Sequence, residues 1–370
     1  MIKLLVDCHV FDGKYQGTRT YIEGVYRELI KRQDIDFYFC AVNVDNLKNI
    51  FGVYDNVHYI KLRFKNKFLR LFFEYPHIIS HNNIDFAHFQ YILPFFKRCR
   101  EIVTIHDLLF LDFPIFFPIL YRLKNYLLFL LSAHRADLLL TVSEFSKLEI
   151  NHYFNIPLER IVITSNSVSI PTFSNMNNKI LELLQLDKYI LEVGRVEPRK
   201  NQLLLVKAFV ENQLYERYSL VLVGSLDITY KEYDDYLKKV DSLVKSKIKQ
   251  VSVSYNDLLV LYRNSSLFVF PSYAEGFGIP PLEALANNCP VLCSDVTAMA
   301  EFGFPDKYTF NPYNQEELGE KMIKVLSEPY DFTYKDEVLN KYSWKKTSDT
   351  LYEQILKKLT NLDSNIIENV

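Results

Sequence analysis

Short runs of β-branched and aromatic residues alternate with longer segments of helical period along this whole chain. That alternation restricts the fold more than any single residue does. In the first half the strand-like runs are Ile2–Val6, Phe37–Val42, Val57–Lys61, Ile84–Phe89, Ile102–Ile105, Leu138–Val142 and Ile161–Thr164, with helical patterns at Tyr21–Arg32 and Tyr121–Arg135. Strands separated by helices pair in parallel through right-handed crossovers, which predicts an α/β architecture. A second series runs through Tyr189–Val193, Ser219–Val223, Gln250–Val253, Leu267–Pro271 and Val291–Ser294, with helices at Asn201–Asn212, Tyr233–Lys247, Asp257–Asn264 and Pro281–Asn287. With 370 residues the chain exceeds one hydrophobic core and suits two.

Between the two series, Ser169–Asn178 is rich in Pro, Ser and Asn and lacks periodicity, as a linker does. The expected division is 1–170 for the first domain, 171–187 for the linker, 188–341 for the second domain and 342–370 for a terminal helix. Leu351, Ile355 and Leu359 recur every four residues in that helix, so it needs a surface to cover. Residues Asn361–Val370 are expected to fray.

A formal net charge of −2 gives no global attraction to nucleic acid. The five cysteines are scattered without a Cys-x-x-Cys pair, so a reducing, cytoplasmic setting is expected rather than a disulfide or zinc framework. The N-terminus does not read as a signal peptide. The longest apolar region, Leu108 to Ala133, is interrupted by charges and prolines, which argues against a membrane-spanning helix.

The stretch with most chemical content is Phe270–Asp295. A strand ends near Pro271, a loop carries Glu275-Gly276-Phe277-Gly278, and a helix is expected to open at Pro280 or Pro281, with Glu283 in its first turn. Glycines let backbone N–H groups approach an anion, and the helix terminus favours a phosphate. Carboxylates suit vicinal hydroxyls, because each can accept two hydrogen bonds from a ribose or a hexose. The structural alternatives are a dipole-favoured acid for Glu283 and a solvated turn residue for Glu275.

A second constellation, Glu192–Gln202, follows the first strand of the second domain. Arg195 and Lys200 can face the crevice above the sheet edge, where open α/β sheets bind ligands, and two cations there would neutralise a diphosphate. Arg199 reads as a solvated loop cation. In the first domain, His106 and Asp107 stand just past a strand end, and Gly17 lies in the first strand-to-helix turn.

These motifs resemble glycosyltransferase family 4, whose signature is two glutamates flanking a Gly-Phe-Gly core, here Glu275, Gly276, Phe277, Gly278 and Glu283. Similarity extends through Thr141–Lys147, Asp257–Asn264 and Tyr342–Thr347. It implies the GT-B fold, two Rossmann-like domains facing each other across a donor-binding cleft, with the last helix crossing back to the first domain. By the same resemblance Glu275 contacts donor-sugar hydroxyls and Glu283 holds the ribose. The backbone of Phe277, Gly278 and Ile279 helps bind sugar and diphosphate. Arg195 and Lys200 bind the donor phosphates, and His106 lies beside the donor sugar. Asp107 has no assigned role. Gly17 is kept where the family carries two or more glycines, and Gln16 and Arg19 stand where glycine is usual.

The implied activity is transfer of a hexose, mannose being one candidate, from a GDP- or UDP-sugar with retention of anomeric configuration. No metal or other cofactor is required. The acceptor would be a glycan or lipid-linked glycan, as in bacterial surface-polysaccharide assembly. Residues 61–73 form one basic-aromatic cluster. Drawn as a helix they place Phe64, Phe68, Leu71 and Phe72 on one face beside Arg63, Lys67 and Arg70. That pattern suits peripheral contact with an anionic membrane, at the inner face of the cytoplasmic membrane, or a core helix with solvated cations. Two other function classes remain open: an inactive sugar-nucleotide-binding scaffold and a GT-B sugar-nucleotide epimerase.

Overall fold

The computed structural model describes residues 1–13, 16–169, 178–225 and 230–367, with side chains up to residue 360. The chain forms two compact units, Met1–Ser167 with Tyr342–Val370, and Val168–Lys341. Residues 170–177 of the expected linker lie outside the described residues; a short helix at Lys179–Leu183 follows.

Unit 1 is built on a seven-stranded parallel sheet: β1 Ile2–Asp7, β2 Ile35–Ala41, β3 Val57–Lys61, β4 Phe86–Gln90, β5 Arg100–Thr104, β6 Leu138–Thr141 and β7 Ile161–Ile163. The order β3-β2-β1-β4-β5-β6-β7 reverses direction between β1 and β4, the kind of point where open α/β sheets bind ligands. β4 is buried along its full length and β1 over its last four residues, as strands covered by helices on both faces must be. Three helices matter below: α1 Gly17–Leu29, α2 Ile119–Arg135 and α3 Glu144–Phe154.

Unit 2 repeats the architecture with six parallel strands: β8 Tyr189–Val193, β9 Ser219–Val223, β10 Ile248–Val251, β11 Leu267–Phe270, β12 Val291–Ser294 and β13 Thr309–Phe310. Their order, β10-β9-β8-β11-β12-β13, reverses between β8 and β11. Its site is framed by α4 Gln202–Glu211, α5 Tyr255–Asn264 and α6 Ile279–Ala286. β13, only two residues long, has too little pattern to be legible in the sequence. The expected helix Tyr233–Lys247 is broken into Lys231–Lys239 and Ser242–Ser246.

The last helix, α7 Trp344–Ile367, belongs to unit 1 and packs on α1. The contact is so close that a Cβ on Gly24 would lie 2.2 Å from the Trp344 ring. Arg32 pairs with Asp349 at 2.6 Å and lies over the Tyr352 ring, and Thr347 donates to the Ser165 carbonyl. The helix continues past Asn361, where fraying was expected, to Ile367; residues 368–370 lie outside the described residues.

The basic-aromatic cluster departs from a helix drawn over 61–73. Residues 62–66 are a loop, and helix begins at Lys67, continuing as Lys67–Leu69, Arg70–Glu74 and Tyr75–Asn82. Leu71 turns into the core and Arg70 is buried, whereas Phe64, Phe68, Phe72 and Phe73 stay exposed. Arg70 is drawn inward because its guanidinium donates to the carbonyls of Phe64 and Lys65.

Candidate functional site

Most of the residues singled out by sequence gather in unit 2, where β8 and β11 end at the reversal of strand order. The ends of β8 and β9 touch there: a Cβ on Gly224 would sit 1.9 Å from the Gly194 carbonyl oxygen, so only glycine fits. Beyond Gly194 the chain turns through a short helix at Pro198–Lys200 into α4.

Two buried amides shape this turn. Asn201, in the left-handed conformation at φ 58°, donates to the carbonyls of Pro271 and Pro312 at 3.1 and 2.9 Å, tying the turn to the end of β11. Gln202 donates to Glu192 Oε1 at 3.1 Å and to the Arg195 carbonyl at 3.0 Å. Glu192 is fully buried at the end of β8. Burial pushes its carboxyl well above the ordinary range, offset only in part by Lys200 and Gln202.

The centre of the site is an ionic cluster. Lys200 Nζ lies 2.6 Å from Glu275 Oε1, and Arg199 Nη1 lies 3.1 Å from Glu275 Oε2. Arg199 also donates to the Ala274 carbonyl and to Glu197, both at 2.6 Å. Its side chain is 13% exposed. The expectation of a solvated Arg199 is therefore corrected: a carboxylate taken out of water needs a close cation, and Glu275 has recruited two. Burial would raise the Glu275 carboxyl, but Arg199 and Lys200 outweigh it and hold it down at about 2. Arg195 behaves differently. Its side chain is 57% exposed, and it lies 3.4 Å from Glu197.

The Glu275 backbone N–H donates to Thr297 Oγ1 at 3.1 Å. Thr297 itself has φ 52°, a strained conformation for a β-branched residue of the kind that collects at functional sites. Gly278, at φ 88°, caps α6, so the helix starts at Ile279 rather than at Pro280 or Pro281. Glu283 consequently sits in the second turn, not the first, because the αL glycine lets the helix begin earlier. A first-turn dipole role no longer accounts for it.

Glu283 Oε2 instead accepts a hydrogen bond from Tyr262 of α5 at 3.0 Å. Burial of this carboxyl pushes it up to about 7, against the opposing effect of the tyrosine hydroxyl. Phe277 packs its ring against Phe302 at 5.6 Å. Gly276 and Ile279 flank it on the same loop and helix start.

In unit 1, His106 follows β5. It is buried, donates from Nε2 to Gln90 Oε1 at 2.7 Å, meets Tyr21 edge-on and packs at a tilt against Tyr91. Burial lowers its pKa to about 3, so the imidazole is neutral at physiological pH. Gln90 also reaches His88, which hydrogen-bonds Tyr26 and Thr104 at 2.7 Å each. Asp107 accepts from the Leu109 N–H at 3.3 Å. Gly17 is the first residue of α1, and a Cβ there would meet nothing within 4 Å, so packing does not require a glycine.

Sequence reasoning thus missed Arg199, Tyr262, Thr297 and the Glu192–Gln202 pair. Tyr262 lies within the stretch DLLVLYRN, and Arg199, Glu192 and Gln202 lie within the Glu192–Gln202 constellation, but Thr297 carried no signal.

The chain matches two family models, Glycosyltransferase Family 4 over residues 15–170 and Glycosyl transferases group 1 over residues 176–345. It is 34% identical to O-antigen chain mannosyltransferase B of Escherichia coli, over 55% of each chain. It is also 34% identical to O-antigen chain mannosyltransferase RfbU of Salmonella typhimurium, over 62% of this chain and 61% of the relative. The matches thus span little more than half of these relatives. Among solved structures, a glycosyltransferase of Rickettsia africae has the same fold, with a TM-score of 0.72 over 97% of this chain and 99% of that one at 18% identity.

Proposed function

The chain belongs to glycosyltransferase family 4, and from that premise we propose that it moves a hexose, most simply mannose, from a nucleoside-diphosphate sugar to a glycan acceptor with retention of configuration. The observation that carries the reading is the buried Glu275, kept ionised by Lys200 and Arg199 beside the glycine-capped start of α6. An ionised carboxylate in a desolvated setting accepts strong hydrogen bonds from sugar hydroxyls. The names of the mannosyltransferase relatives support mannose and a surface-polysaccharide acceptor, free or lipid-linked.

In this proposal Glu275 orients the donor sugar and Glu283, steadied by Tyr262, grips the ribose. The N–H groups of Phe277, Gly278 and Ile279 face the sugar and diphosphate. Arg195, exposed and so able to swing onto a ligand, and Lys200 stabilise the charge that builds on the departing diphosphate. They do so without a metal ion. Arg199 holds Glu275 rather than the ligand. His106 of unit 1 is neutral and fixed by Gln90.

Incubating the chain with GDP-mannose or UDP-glucose, with and without acceptor glycans, tests the proposal. Acceptor-dependent transfer supports it. An altered donor without transfer would indicate an epimerase, and binding alone a scaffold; either outcome overturns it.

A further inference from the structure

Helix α2 of unit 1 is apolar on its outer side as well as on the side that meets the core. Its buried positions are Asn125, Phe129, Ser132 and Ala133, yet Leu120, Leu123, Leu127 and Leu131, spaced as one helical stripe, are all exposed. The orientation is locked. Phe129 and Ala133 pack in the core, and Ser132 Oγ donates to the Leu128 carbonyl at 2.8 Å and accepts the Leu93 N–H at 3.1 Å.

Unit 1 carries a second exposed apolar cluster. Phe72 contacts Phe73, Phe95 and Phe96 with ring centroids 4.8, 5.4 and 5.0 Å away, and all four are exposed. Lys124 of α2 lies 5.3 Å from the centroid of Phe68, which stands one helical turn before Phe72. The loop before Phe68 is held in place. Glu74 accepts the N–H groups of Arg63 and Phe64, and Arg70 donates to the carbonyls of Phe64 and Lys65. Apolar patches of this extent mark interaction surfaces.

Charge selects the partner. Residues 61–73, 94–100 and 114–136 contain eleven Lys and Arg and no Asp or Glu, in a chain with 43 basic and 45 acidic residues; of the eleven, Arg70 is buried, Lys97 pairs with Asp137 and Arg135 pairs with Glu101. A second copy docking through the same face would oppose like charges, which disfavours a homodimer. Among the described residues no helix is long and apolar enough to cross a membrane. Exposed leucines and phenylalanines rimmed by cations match the boundary between headgroups and acyl chains. We infer that this face of unit 1 docks on the surface of an anionic lipid bilayer, with the α2 leucines and the Phe68–Phe72–Phe96 cluster entering the interface and Arg63, Lys65 and Lys124 meeting lipid phosphates. The surface is wider than residues 61–73 and includes a helix whose sequence alone gives no sign of which face is out.

The test is flotation of the full chain with vesicles of phosphatidylcholine alone or with roughly one-third phosphatidylglycerol, without donor or acceptor. The parent should bind the anionic vesicles at least about tenfold better and lose binding as salt rises from about 0.1 to 0.5 M. Leu123→Glu/Leu127→Glu should lose binding at least about tenfold, whereas Leu183→Glu/Leu243→Glu, two exposed leucines of unit 2, should not. Melting temperature and nucleoside-diphosphate affinity should be unchanged in both variants, which separates this inference from the donor reading. No binding to anionic vesicles, equal binding to both compositions, or full binding by Leu123→Glu/Leu127→Glu would overturn it. So would a dimer of the parent that those two substitutions dissociate.

Discussion

Replacing Lys200 with alanine should weaken both unit 2 and the transfer reaction, by amounts that the surroundings of Glu275 set. Lys200 and Arg199 lie 2.6 and 3.1 Å from its two oxygens, and all three side chains are nearly buried. Together they hold the carboxyl at about 2 instead of its ordinary 4.5, which is worth about 3 kcal/mol at neutral pH. Because the folded carboxyl titrates below the unfolded one, that stability is complete above pH 4.5 and disappears as pH falls toward 2. Arg199 remains in the variant, so about half, roughly 1.5 kcal/mol, should be lost, lowering the melting point by about 3–6 °C. Transfer should fall roughly 30- to 1,000-fold, from about 2–4 kcal/mol of lost stabilisation of the departing diphosphate. A double-mutant cycle with Glu275→Gln separates the two effects. Without the carboxylate, removing Lys200 should cost little stability yet still weaken nucleoside-diphosphate binding. If Lys200→Ala lowers the melting point while that affinity stays within about threefold of the parent, Lys200 is only the counter-charge of Glu275 and its assignment to the diphosphate is wrong.

Glu283→Gln should weaken nucleoside-diphosphate binding roughly 10- to 150-fold above pH 8, measured calorimetrically, and leave a 2′,3′-dideoxy nucleotide unaffected. Since the Glu283 carboxyl titrates at about 7, the parent's affinity should rise as pH passes that value and the variant's should not; parallel profiles would remove Glu283 from the ribose. Burial lowers both His88 and His106 to about 3, below their ordinary 6.5, so unit 1 should keep full stability above pH 6.5 and lose it as pH falls toward 3. Imidazole NMR signals from these two residues that titrate near 6.5 in the folded protein would contradict that. Transfer should persist in excess EDTA, and abolition with rescue by magnesium or manganese would refute the metal-free mechanism.

The strand positions were legible because parallel strands buried on both faces leave continuous apolar runs such as Ser219–Val223 and Val291–Ser294. Glu275 and Glu283 were legible as a spaced motif, but their environments were not. Arg199 and Lys200 are adjacent cations in sequence, and only the turn fixed by Asn201 brings both against Glu275. The start of α6 was misplaced because two prolines signal a first turn more loudly than a glycine whose φ is unknown. Residues 61–73 were misdrawn for a related reason. The inward pull on Arg70 comes from carbonyls of the preceding loop, a contact that hydrophobic periodicity does not encode.

The central claim is that the Lys200–Glu275–Glu283 centre holds a nucleoside-diphosphate sugar. Calorimetric titration of GDP-mannose and of UDP-glucose into the parent and into Arg195→Ala/Lys200→Ala tests it most directly. At least one donor should bind the parent with a Kd on the order of micromolar and bind the double variant about a hundredfold or more weakly. Failure of both donors to bind, or equal binding by parent and variant, would contradict the account.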